Sequence, residues 1–145
     1  MKHYSRANFH LTDSIVFLII HVRNLMLTHM DAALKKIDIS GQQMGIMLSL
    51  SQGIASTPFE LSKLLDIDTG LMTRMLDKLE SMGLLERSRS LEDRRVINLS
   101  LTVKGKEVAE RIPDIAPEVL NSRLQKFTKA EFVEFRRLLR KFLSD

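Results

Sequence analysis

The feature that most constrains this chain is a change of hydrophobic period at Gly83. Before Gly83, apolar residues recur every three or four positions, as on one face of a helix. After it, they alternate with polar residues, as in a half-buried strand. Two short helical segments followed by such an alternation are typical of a helix-turn-helix with an appended hairpin. The centre of the chain is therefore predicted to be a winged helix-turn-helix.

Helix-start signals locate the first helices of this unit. Ser40 in "SGQQ" has the position of an N-cap residue, with a glutamine three residues later. In "TPFE", Thr57 is an N-cap residue, Pro58 takes the first helical position, and Glu60 is placed to reach back to the cap. Both patterns predict a helix that begins at the following residue.

The second helix of the pair is predicted over residues 69–82, after a break at residues 66–68. Gly83 then ends it as a C-cap residue. Four apolar residues at helical spacing are predicted to face the core: Met72, Met75, Leu76 and Leu79. The opposite face of this helix is left free for a partner.

The segment after Gly83 is predicted to form a wing. Its strands, "LLERS" and "VINLSL", flank a polar tip from Arg89 to Arg95. The apolar positions of the alternation are Leu84, Val96, Ile97, Leu99 and Leu101. The result is a narrow basic hairpin beside the second helix.

Long apolar helices are predicted at both ends of the chain. The first runs from about Phe9 to Leu34 and is apolar on more than one side. Thr102 caps a further helix, in which Pro113 and Pro117 predict a kink or break. A capping box at "TKAE" opens a last helix with one apolar face: Phe132, Phe135, Leu138, Leu139 and Phe142. These faces need a covering partner.

Composition excludes several classes of protein. The 145 residues fit about one domain, and 44% hydrophobic content suffices for a core. The longest apolar stretch, Ile15 to Ile20, is far shorter than a membrane span, and the N-terminus has no signal-peptide layout. We therefore expect a cytoplasmic protein with no membrane partner. The absence of cysteine excludes disulfides, a thiolate nucleophile and a cysteine redox switch.

The net charge of +4 does not by itself locate a nucleic-acid surface. Residues 121–145 hold seven Lys or Arg against three acidic residues, and the first 120 residues are balanced. The basic residues of the C-terminal helix are expected to form a solvated face. Local placement of charge must therefore identify any DNA contact.

The exposed face of the second helix fits the major groove of DNA. We predict that it carries five DNA-binding residues: Thr69, Gly70, Thr73, Arg74 and Lys78. Arg74 can read guanine O6 and N7, Thr73 can contact a thymine methyl or a phosphate, and Gly70 allows close backbone approach. A phosphate contact and an ordinary solvated lysine are equally compatible with Lys78.

The wing supplies a second set of contacts. Arg94 and Arg95 at its tip suit the minor groove, where arginine is attracted by the enhanced negative potential of A·T-rich DNA. Arg87 and Arg89 are predicted to bind phosphates beside it. Asp93 is assigned the role of orienting one of these guanidinium groups by a charge-assisted pair.

Other functions have weaker support in the sequence. No nucleophile elbow, phosphate-cradling glycine loop or isolated carboxylate pair indicates an enzyme. The four histidines lack ligand spacing, so no metal and no cofactor are predicted. The alternative from another class is a winged-helix module that binds a protein partner without contacting DNA. Basic residues on both the helix and the wing favour DNA.

The segment from Ser56 to Gly105 resembles the winged core of the MarR family of bacterial transcription regulators. The family's wing motif is Asp, any residue, Arg, five residues, then Leu-Thr. It is matched here by Asp93, Arg95, Leu101 and Thr102, downstream of "TRMLDKLESMGLLER". The resemblance extends over essentially the whole chain.

This resemblance implies a single domain over residues 1–145, with a DNA-binding region at 39–102 and dimerisation helices at 1–38 and 103–145. It implies a homodimer on a pseudo-palindromic operator, with half-sites roughly 34 to 36 Å apart. It also implies a repressor released by a small, often aromatic or phenolic, effector that binds between the dimer helices and the winged region. The sequence identifies no effector-binding residue.

Overall fold

Six α-helices and one antiparallel hairpin make up the computed structural model, which describes residues 1–145. In chain order they are α1 Ile15–Leu34, α2 Gly41–Ser51, α3 Pro58–Leu65, α4 Thr69–Ser81, β1 Leu85–Arg89, β2 Ile97–Leu101, α5 Val103–Leu124 and α6 Lys129–Leu143. Short 3-10 turns lie on either side of α1, at Leu11–Asp13 and Lys35–Ile37. The predicted fold class, mainly helical with a hairpin wing, is confirmed.

Side-chain caps begin the helices where the sequence predicts them. Ser40 and Thr128 each form a complete capping box, and Thr102 accepts the backbone N–H of Gly105. Thr57 caps α3, but Glu60 does not reach back to the cap residue as predicted. The Glu60 carboxylate accepts the N–H of Ser56, one residue before the cap, at 2.8 Å.

The N-terminal helix is shorter than predicted, because it begins at Ile15 instead of Phe9. Ser14 is its N-cap and accepts the N–H of Phe17 at 3.2 Å. The same hydroxyl donates to the carbonyl of Leu11, which closes the preceding 3-10 turn. The apolar period alone does not reveal this local hydrogen bonding, which separates the turn from α1.

Helix α5 runs through both of its prolines, so the predicted break is absent. Pro113 and Pro117 lie on the exposed side of α5, whereas Ile112 and Ile115 are buried in the core. The carbonyls that lose a backbone donor at a proline can turn toward water on an exposed side. Packing of the buried face holds the helix together on both sides of Pro113.

The core belongs to the central unit and to the parts of α1 and α5 that pack on it. Leu34 of α1, Ile46 of α2, Leu61 of α3, Leu76 of α4 and Ile112 of α5 are at most 1% exposed. Two leucines of the hairpin strands, Leu85 and Leu99, complete this core. The winged unit is therefore held by one continuous apolar cluster.

The hairpin is joined to the helices at its base. Leu99 of β2 donates its N–H to the carbonyl of Ser56 at 2.7 Å. Thr102 donates its N–H to the carbonyl of Leu84 at 3.1 Å. A Cβ on Gly105 would overlap that same carbonyl oxygen, so only glycine permits this approach of α5.

The first part of α1 and all of α6 lie outside the core. No residue of α6 is buried, and the exposed residues of its apolar side include Phe135, Leu138, Leu139 and Phe142. The exposed apolar residues of α1 are Ile15, Val16, Leu18, Ile19, Ile20, Val22 and Leu25. An open apolar groove of about 1050 Å³ lies between the N-terminal segment and Phe142.

By length and composition alone, the span Ile15–Ile37 is apolar enough to cross a membrane, with a mean hydropathy of 1.3 over its best window. Only 6% of that window is buried. A helix that packs against a second protein copy satisfies the same criterion. The apolar residues of α1 are therefore mostly exposed in the single chain.

Candidate nucleic-acid interface

Helix α4 exposes its N-terminal end to solvent. Asp66 adopts a left-handed conformation that ends α3, and Asp68 caps α4 by accepting the N–H of Leu71 at 2.9 Å. Gly83, with φ of 73°, follows the C-terminal end of α4 and stops the helix there. The four residues predicted to face inward are all buried, which confirms that face: Met72, Met75, Leu76 and Leu79.

The predicted contact residues near the N-terminal end of α4 are all exposed: Thr69, Gly70, Thr73 and Arg74. Thr73 donates its hydroxyl to the carbonyl of Thr69 at 2.8 Å, which restrains its exposed side chain. A Cβ on Gly70 would lie 3.7 Å from Nη1 of Arg74. The Arg74 guanidinium therefore extends over the glycine, toward the first turn of the helix.

Lys78 is exposed but lies further along α4. It lines a small polar cleft of about 260 Å³ together with Asp31, Lys35 and Asp38, at the end of α1. Carboxylates nearby give the Lys78 ammonium an alternative to a phosphate. Lys78 is thus set apart from the cluster around Arg74.

The tip of the wing is a turn fixed by its own hydrogen bonds. The Ser90 hydroxyl accepts the N–H groups of Glu92 and Asp93 at 3.3 and 3.4 Å. The Asp93 carboxylate accepts the N–H of Arg95 at 3.0 Å and lies 3.8 Å from its Nε. The Arg95 side chain is 96% exposed, and Arg94 forms no ion pair. Both guanidinium groups are thus presented to solvent on an ordered turn.

The tip lies one residue later in the chain than predicted, at residues 90–96. Arg89 belongs to β1 and is paired with Ile97, and Val96 lies outside the strand. Arg89 donates to the carbonyl of Arg94 at 3.1 Å across the turn. Its guanidinium consequently supports the tip while remaining exposed.

Arg87 differs from the other wing arginines because its guanidinium is already engaged. It lies on the same side of β1 as the buried Leu85, two residues earlier. Nη2 is 2.8 Å from Asp77 and Nη1 is 3.0 Å from Glu80, both on α4. Sequence reasoning missed these two carboxylates, although the strand period and the i, i+3 spacing on α4 pointed to them.

Two further observations concern ligand binding: a cleft, and the arrangement of side chains that could hold a metal ion. A cleft of about 460 Å³ separates Arg23 and Leu27 of α1 from α2 and from the turn between α3 and α4. No group of three or more His, Cys, Asp or Glu side chains is arranged to hold a metal ion.

A helix pair with an exposed basic edge, followed by a basic hairpin, defines a winged helix-turn-helix protein. The sequence model of the MarR family matches residues 39–97. The chain is 33% identical over 111 residues to the multiple antibiotic resistance protein MarR of Escherichia coli K12, covering 76% of this chain and 77% of that protein. The chain belongs to the MarR family.

Other relatives and solved structures agree with this assignment. The organic hydroperoxide resistance transcriptional regulator of Bacillus subtilis is 31% identical over 110 residues, 76% of this chain and 75% of its own. A mutant MarR from E. coli in complex with operator DNA superposes with a TM-score of 0.84 at 28% identity, covering 94% of this chain and all of that one. The Bacillus subtilis relative is a transcriptional regulator by name.

A third solved structure has a similar fold at a lower sequence identity. Bordetella bronchiseptica BpsR, whose DNA binding is regulated by 6-hydroxynicotinic acid, superposes with a TM-score of 0.82 at 20% identity. It covers 94% of this chain and 99% of its own. The winged architecture is therefore retained at low identity.

Proposed function

We propose that this chain is a sequence-specific DNA-binding transcription regulator that acts as a homodimer and a repressor. One observation carries the proposal: Arg74 on α4 and Arg94 and Arg95 on the wing are exposed guanidinium groups on ordered elements. The superposition on a MarR bound to operator DNA supports the same function.

In this function α4 enters the major groove by its N-terminal end. Arg74 donates two hydrogen bonds to guanine, and the methyl group of Thr73 contacts thymine. Thr69 and Gly70 let the first turn approach a phosphate, which the positive end of the helix dipole favours. Lys78 contributes long-range attraction to the backbone.

The wing lies along the adjacent minor groove. Arg94 and Arg95 enter the groove or bind its phosphates, with Asp93 orienting Arg95 by the 3.8 Å contact and by fixing its backbone. Arg89 holds the tip through the Arg94 carbonyl. In each subunit, α4 therefore contacts base edges, and the wing makes contacts that depend on the width of the minor groove.

Dimerisation uses residues 1–38 and 103–145, and residues 39–102 bind DNA. The exposed apolar faces of α1 and α6 support this division, because faces of that size are rare on stable monomers. A two-fold dimer presents two copies of α4 to half-sites about one turn of DNA apart.

Release from DNA is assigned to a small effector, aromatic or phenolic in character. The cleft between α1 and the winged unit supports this assignment by its position and by its apolar residues Leu27 and Leu71, and its polar lining includes Arg23, Asp66 and Asp68. We place the protein in the cytoplasm and assign it no catalytic activity, no metal and no membrane partner.

The proposal is tested by selecting duplexes from a random DNA pool with the wild-type protein. We expect enrichment of an inverted repeat whose half-sites are spaced by about one helical turn. The control is the Arg74→Ala, Arg94→Glu, Arg95→Glu protein, which should enrich nothing. If the wild-type protein also enriches nothing, the winged unit is a protein-interaction module instead.

A further inference from the structure

The contact of Arg87 with two carboxylates links the side chains of the wing directly to α4. Both terminal nitrogens of the guanidinium are used, one for Asp77 and one for Glu80. The Arg87 side chain is only 24% exposed, against 96% for Arg95. Three of its five N–H donors remain, but the two contacts hold the guanidinium against α4, where less of it is open to a phosphate than at the exposed tip.

The position of this contact suits it to setting the angle of the wing. Leu99 lies opposite Arg87 in the hairpin and fixes β2 to the Ser56 carbonyl. Arg87 fixes β1 at the same level to α4. The two strands are thus held at one level by two different parts of the helix-turn-helix, which leaves the hairpin little freedom to pivot.

Asp77 lies one helical turn after Thr73, on the edge of α4 that carries the predicted base contacts. The ion pair therefore joins the wing to the reading edge of α4. Without Arg87, two uncompensated carboxylates would also stand near the DNA backbone, where they repel phosphates.

We propose that Arg87 is a positioning residue: by bridging Asp77 and Glu80 it holds the wing at a fixed angle to α4, and it does not contact DNA phosphate. The effect on DNA binding rests on the proposed function, whereas the effect on the wing itself does not. The bridge uses two separate nitrogens at the end of a planar fork, whereas lysine has a single nitrogen, so lysine does not reproduce this geometry.

The first measurement needs no DNA. Because the chain has no cysteine, Leu91→Cys at the wing tip, a fully exposed position, gives a single nitroxide site per subunit. We expect the spin label to become more mobile in the Arg87→Gln, Arg87→Lys and Asp77→Asn/Glu80→Gln proteins. Unchanged line shapes in all three would overturn the positioning role.

The second measurement is affinity for the duplex selected by the wild-type protein, without the label. Arg87→Gln and Arg87→Lys should each weaken binding by about tenfold, the order of loss expected when one hydrogen bond to a charged group is removed. The Asp77→Asn/Glu80→Gln protein should also bind more weakly, although removal of two negative charges near DNA would otherwise strengthen binding. Near wild-type affinity of Arg87→Lys would identify a direct phosphate contact and overturn the proposal.

The bidentate pair of Arg137 with Glu134 on α6 is the matched control. Arg137→Gln and Arg137→Lys also remove two hydrogen bonds from an arginine to carboxylate oxygens, but away from the winged unit, so both should keep wild-type affinity and label mobility. Far-UV circular dichroism confirms folding of each variant. If the wild-type protein selects no duplex, the proposed function fails, but the mobility measurement still decides the role of Arg87.

Discussion

In the proposed function, Arg74 is the main base-reading residue. It forms no ion pair and lies over the open first turn of α4. We expect Arg74→Ala to cost about 1 to 3 kcal/mol of binding free energy and to relax specificity at one base pair of each half-site. Fluorescence anisotropy with the selected duplex and its single-base variants measures both effects.

The pattern of the loss distinguishes two roles for Arg74. A guanine contact predicts a large loss on the selected sequence and a small loss on its variants at one position. Equal losses on all sequences would identify Arg74 as a phosphate contact instead. Arg136→Ala on α6 is the control, since its guanidinium stacks on Phe132 away from the winged unit.

Gly105 is predicted to be intolerant of any side chain. A Cβ at this position would overlap the Leu84 carbonyl oxygen, a backbone atom that also accepts the N–H of Thr102. We expect Gly105→Ala to lower the free energy of unfolding by about 1 to 3 kcal/mol, as overpacking does. Urea denaturation measures it, with exposed Lys106→Ala on the next residue as the control.

A stability of Gly105→Ala equal to wild type would mean that the start of α5 can move away from Leu84. The hydrogen bonds of Thr102 to Gly83 and Leu84 argue against such movement. That outcome would contradict the docking of the wing on α5.

Single-residue roles are predictable where one element decides them. The inward set on α4 follows from helical spacing alone, and Met72 and Leu79 are buried as expected. The role of Arg87 depends on how β1 packs against α4, which is a tertiary relation. Sequence spacing places it among exposed arginines, whereas the structure pairs it with Asp77 and Glu80.

Among the elements, the wing tip offers a direct test of groove contact. Reversing Arg94 and Arg95 to glutamate should abolish measurable operator binding at moderate salt, because attraction becomes repulsion at an exposed turn. The milder Arg94→Gln/Arg95→Gln protein should reduce the slope of log affinity against log salt by about one for each phosphate that it no longer neutralises. Titrations at several salt concentrations provide both values.

Leu91 lies on the same turn and is fully exposed, so Leu91→Gln is the control for the tip. It should leave both affinity and salt slope unchanged. If the two glutamates left operator affinity unchanged, the wing would have no part in binding.

Helix α6 contains a pH-sensitive cap. Hydrogen bonds donated by the backbone N–H and then by the hydroxyl of Thr128 lower the pKa of Glu131 below the usual value of a glutamate. A lowered folded-state pKa stabilises the fold above the unfolded value, and this stabilisation is lost as pH falls through the folded pKa. The melting temperature of wild type should therefore exceed that of Glu131→Gln at neutral pH, and the difference should vanish in acid.

Thermal melts of the two proteins from neutral to acidic pH check this prediction. The pKa of Glu134 is also lowered, chiefly by its hydrogen bonds from Arg137. Glu134 must therefore be kept in both proteins, so that the difference between them reports on Glu131 alone. A difference in melting temperature that stays constant across this range would show that the charge of Glu131 plays no part in the cap.

Element boundaries are predictable to the extent that a side chain marks them. Ser40, Thr102 and Thr128 indicate helix starts, and all three are N-caps in the structure. The predicted start of α1 is too early because Ser14 lies inside an apolar pattern that continues on both sides. The continuity of α5 through Pro113 depends on core packing, which local preference does not contain.

For the whole molecule, the central prediction is a dimer held by α1 and α6. Leu138→Glu places a charge on the exposed apolar side of α6 and should shift the protein toward monomer, because burial of that charge is costly. Arg140→Glu, on the polar side of α6, should stay dimeric. Sedimentation velocity at micromolar concentration distinguishes the two.

Truncation after Ile112 tests the same assembly more severely. It removes half of α5 together with α6, including buried Ile115. We expect an unstable protein with a lower melting temperature than wild type. A well-folded monomer from either truncation or wild type would contradict the role of the terminal helices.

The unbroken course of α5 has a mechanical consequence. Its 22 residues span about 33 Å from the wing's base to the apolar end of the molecule. If α5 moves as one body, a tilt of about 6° at one end displaces the other by about 3 Å. A small rearrangement at the apolar end of the molecule is therefore expected to shift the base of the wing.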